Sequence, residues 1–151
     1  GIGDGKERGE IACADDTCHV YKSQSKGTYE LVYSFGWYLK KFIDDVREKG
    51  ATPILVSLTP RNEWKVGHRV RRNDTYGRGY RQVVKETVWE FVDLHNIAAD
   101  YFDKKCGSKE NASKYYNHDH THTSLLGART NIKNLAKGLK DINSPLAKYL
   151  K

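Results

Sequence analysis

Several features that would narrow the function are scarce or absent. No apolar run approaches the roughly 20 residues a helix needs to cross a bilayer, so no membrane partner is expected. The N-terminus carries no basic segment followed by an apolar one, so if the protein is exported its signal is expected to lie upstream. Cysteine is sparse, with three in 151 residues. Cys13 and Cys18 have four residues between them, a spacing that suits a small disulfide loop about as well as half of a metal site. A second close pair is missing, which weakens the zinc reading. Cys106 is left over at the end of a helical pattern, either as a small buried apolar residue or as the partner of a cysteine outside this sequence.

What is present fits a globular protein. The chain is 38% hydrophobic and 11% aromatic, enough for one domain or one large piece of a domain. Twenty-six Lys and Arg against nineteen Asp and Glu give a net charge of +7, which raises a polyanionic partner, nucleic acid or acidic polysaccharide. The sign alone does not separate the two. Lys40, Lys41, Lys133, Lys137 and Lys140 are scattered along helical patterns and read as solvated faces. Lys65, His68, Arg69, Arg71 and Arg72 instead crowd a loop-like segment and are the better candidates for an anionic ligand. Two sequons, at Asn73 and Asn111, also fall in loop-like segments and would be glycan acceptors in a secreted eukaryotic protein.

Residues 1–28 are polar and glycine-rich and read as a long loop. Phe35, Tyr38, Leu39, Phe42, Ile43 and Val46 then follow helical spacing up to Gly50, which predicts a helix. The continuous apolar run over 52–58, bounded by Gly50 and Pro60, predicts a strand buried on both faces. A helix over 75–86, a strand over 88–93 and a helix over 94–105 repeat the unit. A last helix is predicted over 124–140, with Leu125, Ala128, Ile132, Leu135, Ala136 and Leu139 on its apolar stripe. Alternating helices and buried strands imply an α/β fold with a parallel sheet covered on both faces. Two strands are too few for these helices, so the remaining strands are expected outside this chain, upstream or in another chain.

In such sheets active sites gather at the carboxyl ends of strands, which directs attention to the segments after Leu58 and Asp93 and to residues 117–124. There Asp119 precedes His122 by three residues. That spacing lets the carboxylate hold the imidazole Nδ1 proton and leaves Nε2 free to act as a base on a serine hydroxyl, although a bare Asp-x-x-His is common. His118, His120 and His122 alternate, and in an extended segment they would offer three imidazoles to zinc or copper. The helix start at Thr123 and Ser124 argues against all three converging.

The run Asp119-His-Thr-His-Thr-Ser124, followed by Leu125-Leu126-Gly127-Ala128, resembles the last motif block of the SGNH hydrolases. It is closest to the form found in rhamnogalacturonan acetylesterases, where Pro-Ala stands in place of Leu125-Leu126. Gly36-Trp-Tyr-Leu-Lys-Lys-Phe-Ile43, Lys49-Gly-Ala-Thr-Pro-Ile-Leu-Val56 and Ser57-Leu-Thr-Pro-Arg-Asn-Glu-Trp64 resemble, in order, that family's helix, following strand and substrate-side loop. The Cys13/Cys18 loop resembles a disulfide loop of its fungal members. Roughly residues 10 to 150 are covered.

The resemblance implies a three-layer α/β/α sandwich of flavodoxin-like type, of which this chain is the C-terminal portion of a single domain. It also implies an extracellular serine esterase that removes acetyl groups from pectic rhamnogalacturonan without metal or cofactor and without a nucleic-acid partner. Asp119 would orient His122, and His122 would act as general base and then acid. Trp64, at the end of the loop, is a candidate wall against sugar, and Arg61 and Asn62 beside it are candidates to hydrogen-bond hydroxyls or a uronate. Arg69, Arg71 and Arg72 are compatible with a galacturonate-bearing polymer.

The family's Gly-Asp-Ser nucleophile block and its Gly-x-Asn-Asp oxyanion block have no counterpart here. Gly3-Asp4-Gly5 shares two residues with the first, but about thirty residues before the Gly36-Trp37 helix leave no room for the intervening strands. The isolated chain is therefore expected to be inactive, the activity belonging to a protein that includes the missing N-terminal portion. The alternatives are a noncatalytic carbohydrate- or polyanion-binding remnant and, third, a histidine-cluster metal protein.

Overall fold

The computed structural model describes residues 18–22, 27–65, 69–70, 74–87 and 90–150. The chain divides into two units, Gly1–Pro53 with Asp74–Trp89 and Ile54–Asn73 with Glu90–Lys151.

In the first unit, β1 (Cys18–Lys22) and β2 (Tyr29–Tyr33) pair antiparallel, with Val20 opposite Leu31. The reading of residues 1–28 as loop is corrected at 18–22. The strand is defined by its pairing with β2 rather than by any local pattern of its own. Helix α1 (Phe35–Glu48) starts at Ser34, whose buried Oγ accepts from the Trp37 N–H at 3.1 Å. It ends in a Schellman motif, with the Gly50 N–H on the Arg47 carbonyl and the Ala51 N–H on the Val46 carbonyl. It packs on α2 (Asp74–Thr87) through an edge-on Phe35–Tyr80 contact and a Lys40–Glu86 ion pair. Ile43 of α1 and Val83 of α2 are fully buried.

The second unit holds the parallel pair. β3 (Ile54–Val56) runs beside β6 (Glu90–Val92), with Ile54 opposite Glu90 and Val56 opposite Val92. Two further short strands, β4 (Trp64–Lys65) and β5 (Arg69–Val70), form an antiparallel ribbon where the sequence reads as a basic loop. The expectation of only two strands is corrected accordingly. Helix α3 (Leu94–Lys105) is capped by Asp93, and its Ala98, Ala99 and Phe102 join Val70, Cys106, Ala112, Tyr115 and Tyr116 in the larger core cluster. After the short α4 (Lys109–Ala112) and a 3₁₀ turn comes α5 (Leu125–Asp141), capped by Ser124.

The buried face of α5 differs from the expected apolar stripe. Gly127, Thr130, Asn134, Gly138 and Leu139 face inward, while Leu125 and Ile132 are exposed. Close approach accounts for Gly138: a Cβ there would collide with the Val92 and Ile97 side chains, so α5 meets β6 and α3 most closely at this glycine. Val92, Leu94 and Leu139 form the second core cluster at this contact.

At the carboxyl ends of the parallel pair, the buried Ser57 hydroxyl donates to Asp93 Oδ1 at 3.1 Å and accepts from the His95 N–H at 2.9 Å. Asp93 in turn accepts from the Asn96 backbone and side-chain amides. Ser57→Ala leaves a buried N–H and part of a carboxylate unmatched, and it is expected to lower stability by about 1–3 kcal/mol. A fall in the urea midpoint at constant slope would read this out.

Candidate active site

Residues 117–124 form a tight loop closed at its base. Tyr116 and Thr123 make an antiparallel bridge. The Asn117 N–H meets the His122 carbonyl at 2.9 Å, and the Asn117 side chain donates to the Thr123 carbonyl at 3.1 Å. The Ser124 hydroxyl donates to the Lys114 carbonyl while accepting from the Gly127 N–H, so one residue both holds the loop and starts α5.

Inside this loop Asp119 accepts three hydrogen bonds. Its Oδ1 takes the Thr121 and His122 backbone N–H groups at 2.8 and 2.7 Å, and its Oδ2 faces His122 Nδ1 at 2.5 Å. An ionised carboxylate only accepts, so the Nδ1 atom carries the proton. Three hydrogen bonds to the charged form, the His122 side chain first, hold the Asp119 carboxyl well below the usual carboxylate range. The His122 side chain is 78% exposed, and among the described residues no hydroxyl bonds to its Nε2. The pair presents an oriented imidazole with its basic nitrogen toward solvent.

The loop after β3 is fastened to this one. The buried Tyr116 hydroxyl donates to the Pro60 carbonyl at 2.9 Å, and the Asn62 N–H donates to the His120 carbonyl at 2.8 Å. The Asn62 side chain is buried and occupied at both ends, with Nδ2 on the Lys109 carbonyl and Oδ1 accepting from the Trp64 indole N–H at 2.8 Å. Asn62, a candidate sugar contact in the sequence, thus makes hydrogen bonds inside the protein from both ends of its amide. Arg61 is exposed beside Glu63, and Trp64 is half-buried against the core cluster. The sequence reading missed Glu63 altogether. Its carboxylate lies 3.4 Å from His120 Nε2, and only the loop-to-loop contact reveals it.

The three alternating histidines do not gather. His120 turns to Glu63 and His122 to Asp119, and no group of three or more His, Cys, Asp or Glu side chains converges among the described residues. The Asn111 side chain donates to the Cys106 carbonyl. Cys106 is free and buried, and burial pushes its thiol up. Cys13, Asn73, His68, Arg71, Arg72 and the side chains of Cys18 and Arg69 lie outside the described residues.

No family model matches the chain. Over 134 residues it is 29% identical to a probable rhamnogalacturonan acetylesterase of Bacillus subtilis, a match covering 85% of this chain and 61% of that protein. Over 123 residues it is 25% identical to a rhamnogalacturonan acetylesterase of Emericella nidulans, covering 81% of this chain and 49% of the relative. The chain thus spans about half to three fifths of the length of these curated relatives. A crystal structure of a Bacillus subtilis protein matches at a TM-score of 0.64 and 19% identity, over 71% of this chain and 30% of that one, which shows a shared fold. The mixed α/β architecture with its parallel pair is the fold the chain shares with that solved structure.

Because the Asp119 carboxyl is depressed, its contribution to the loop is present above the ordinary carboxylate range and is lost as pH falls through the lowered midpoint. Followed by the ¹³C shift of its carboxyl, Asp119 is expected to stay ionised at pH values that protonate ordinary aspartates. His122→Ala removes the largest cause and should raise the midpoint toward the ordinary range.

Proposed function

We propose that this chain supplies the acid–base half of a secreted carbohydrate esterase acting on an acetylated acidic polysaccharide of the rhamnogalacturonan type. The nucleophilic serine and oxyanion donors would come from polypeptide outside residues 1–151, the N-terminal portion of the same domain. The observation that carries this reading is the Asp119–His122 contact, with Nδ1 held at 2.5 Å and Nε2 left open. The similarity to two acetylesterases over most of the chain supports it.

In this mechanism His122 Nε2 takes the serine proton as the oxygen attacks the acetyl carbonyl. Asp119 stays ionised and stabilises the imidazolium. His122 then protonates the departing sugar oxygen, leaving an acetylated serine. Water, deprotonated by the same nitrogen, releases acetate and restores the hydroxyl. No metal or cofactor takes part in these steps. Arg61, held outward on the loop after β3, and the Trp64 indole beside it are the proposed contacts to uronate and sugar, joined by the basic segment around Lys65. Export would accompany a Cys13–Cys18 disulfide and glycans at Asn73 and Asn111.

In the complete protein, His122→Ala and Asp119→Asn are each expected to lower kcat for acetate release by about 10³-fold or more with KM little changed. Activity that survived His122→Ala would remove the residue from this role. The 151-residue chain alone should release acetate no faster than free imidazole. If the complete protein also released none while the chain still bound acidic pectin, the noncatalytic binding reading would replace the enzyme.

A further inference from the structure

We infer that Asn62 is a positioning residue that locks the loop following β3 to the loop carrying Asp119 and His122, and orients the Trp64 indole with the same amide. Its consequence for catalysis rests on the esterase reading, whereas the geometry stands without it.

Three bonds leave Asn62 in three directions. The backbone N–H reaches the His120 carbonyl at 2.8 Å, Nδ2 reaches the Lys109 carbonyl at 3.2 Å, and Oδ1 accepts from Trp64 Nε1 at 2.8 Å. The residue is only 6% exposed, so water does not replace a lost partner at low cost. The position of His120 is what makes this matter. It lies between Asp119 and the two residues whose backbone N–H groups cradle the Asp119 carboxylate, so displacement of His120 displaces the cradle. Lys109 begins α4, which leads into the Tyr115–Tyr116 segment at the foot of the same loop. Asn62 therefore grips that loop at its tip and, through α4, near its base.

Pro60 makes the second tie, its carbonyl taking the Tyr116 hydroxyl. Pro60 and Asn62 point inward and Arg61, between them, points out, so the two ties also fix where that guanidinium is displayed. The geometry couples the placement of the base to the placement of the groups that would hold sugar.

The test compares Asn62→Ala with the parent in two forms. In the 151-residue chain, the ¹³C titration of the Asp119 carboxyl should shift upward toward the ordinary carboxylate range as the cradle loosens. In the complete protein, assayed well below its unfolding temperature, kcat should fall about 10- to 100-fold, as expected for a misplaced base, and KM should rise as the Trp64 indole loses its anchor. Should the alanine variant not fold, Asn62→Asp carries the test, because it keeps the acceptor for Trp64 and loses the donor to Lys109; the same Asp119 and kcat shifts are expected. A lowered unfolding temperature with both the Asp119 midpoint and kcat unchanged would overturn the inference and reduce Asn62 to a packing residue. An upward Asp119 shift in a complete protein that hydrolyses no acetyl ester would uphold the lock and remove the esterase reading instead.

Discussion

Three residue pairs in parallel register, Ile54 to Val56 beside Glu90 to Val92, set the second unit of this chain. Their alignment brings two chain exits side by side, and Ser57 and Asp93 leave the sheet within hydrogen-bonding distance of each other. Asp93 can then cap α3 while Ser57 meets the first turn of that helix at the His95 N–H. A slip of one residue would separate the hydroxyl from the carboxylate and invert the faces of β3. With α3 fixed, Phe102 and Cys106 define the cluster onto which Tyr115 and Tyr116 pack. The Tyr116 hydroxyl then lies where it donates to the Pro60 carbonyl, three residues beyond Ser57. The loop that carries Asp119 and His122 is thus placed by a chain of contacts that begins in the sheet.

The Asp119–His122 pair is exposed, so Coulombic attraction alone would hold it weakly in water. Backbone geometry supplies what charge does not. Two amide N–H groups fix Asp119 Oδ1 on one side, leaving Oδ2 turned toward the ring. Preorganisation of this kind costs no reorganisation when charge develops on the imidazole, and the interaction strengthens in any complex that excludes water from the loop.

How much of this was legible from the residues varies with the range of the interactions. The helices α1, α3 and α5 announce themselves through local signals, the 3.6-residue spacing and the capping residues Ser34, Asp93 and Ser124. The parallel pair follows from two apolar runs separated by a helix. The Asp119–His122 contact is also local, three residues apart. By contrast β1, β4 and β5 exist through pairing, and nothing within five or two residues signals them. Asn62 shows where local reading stops. Beside Arg61 and Trp64 in sequence it reads as a sugar contact, but the partner of its Nδ2 lies 47 residues away at Lys109. For a polar residue in a loop, burial decides between ligand and framework, and burial is not written locally.

The one departure inside the motif block has a physical reading. Leu125 and Leu126 occupy the first two helical positions after the Ser124 cap, where the backbone N–H has no intrahelical partner and proline would be tolerated without being needed. Both leucines are exposed, so replacing Pro-Ala there leaves the helix start intact and changes only the apolar surface next to the loop. Gly127 is constrained differently. A Cβ at that position would run into the Tyr115 backbone carbonyl, which already accepts the Ser124 N–H, and backbone at the foot of the loop does not yield as a side-chain end would. Leu125 and Leu126 therefore face outward, while Gly127 stands where α5 and the loop carrying Asp119 share a carbonyl.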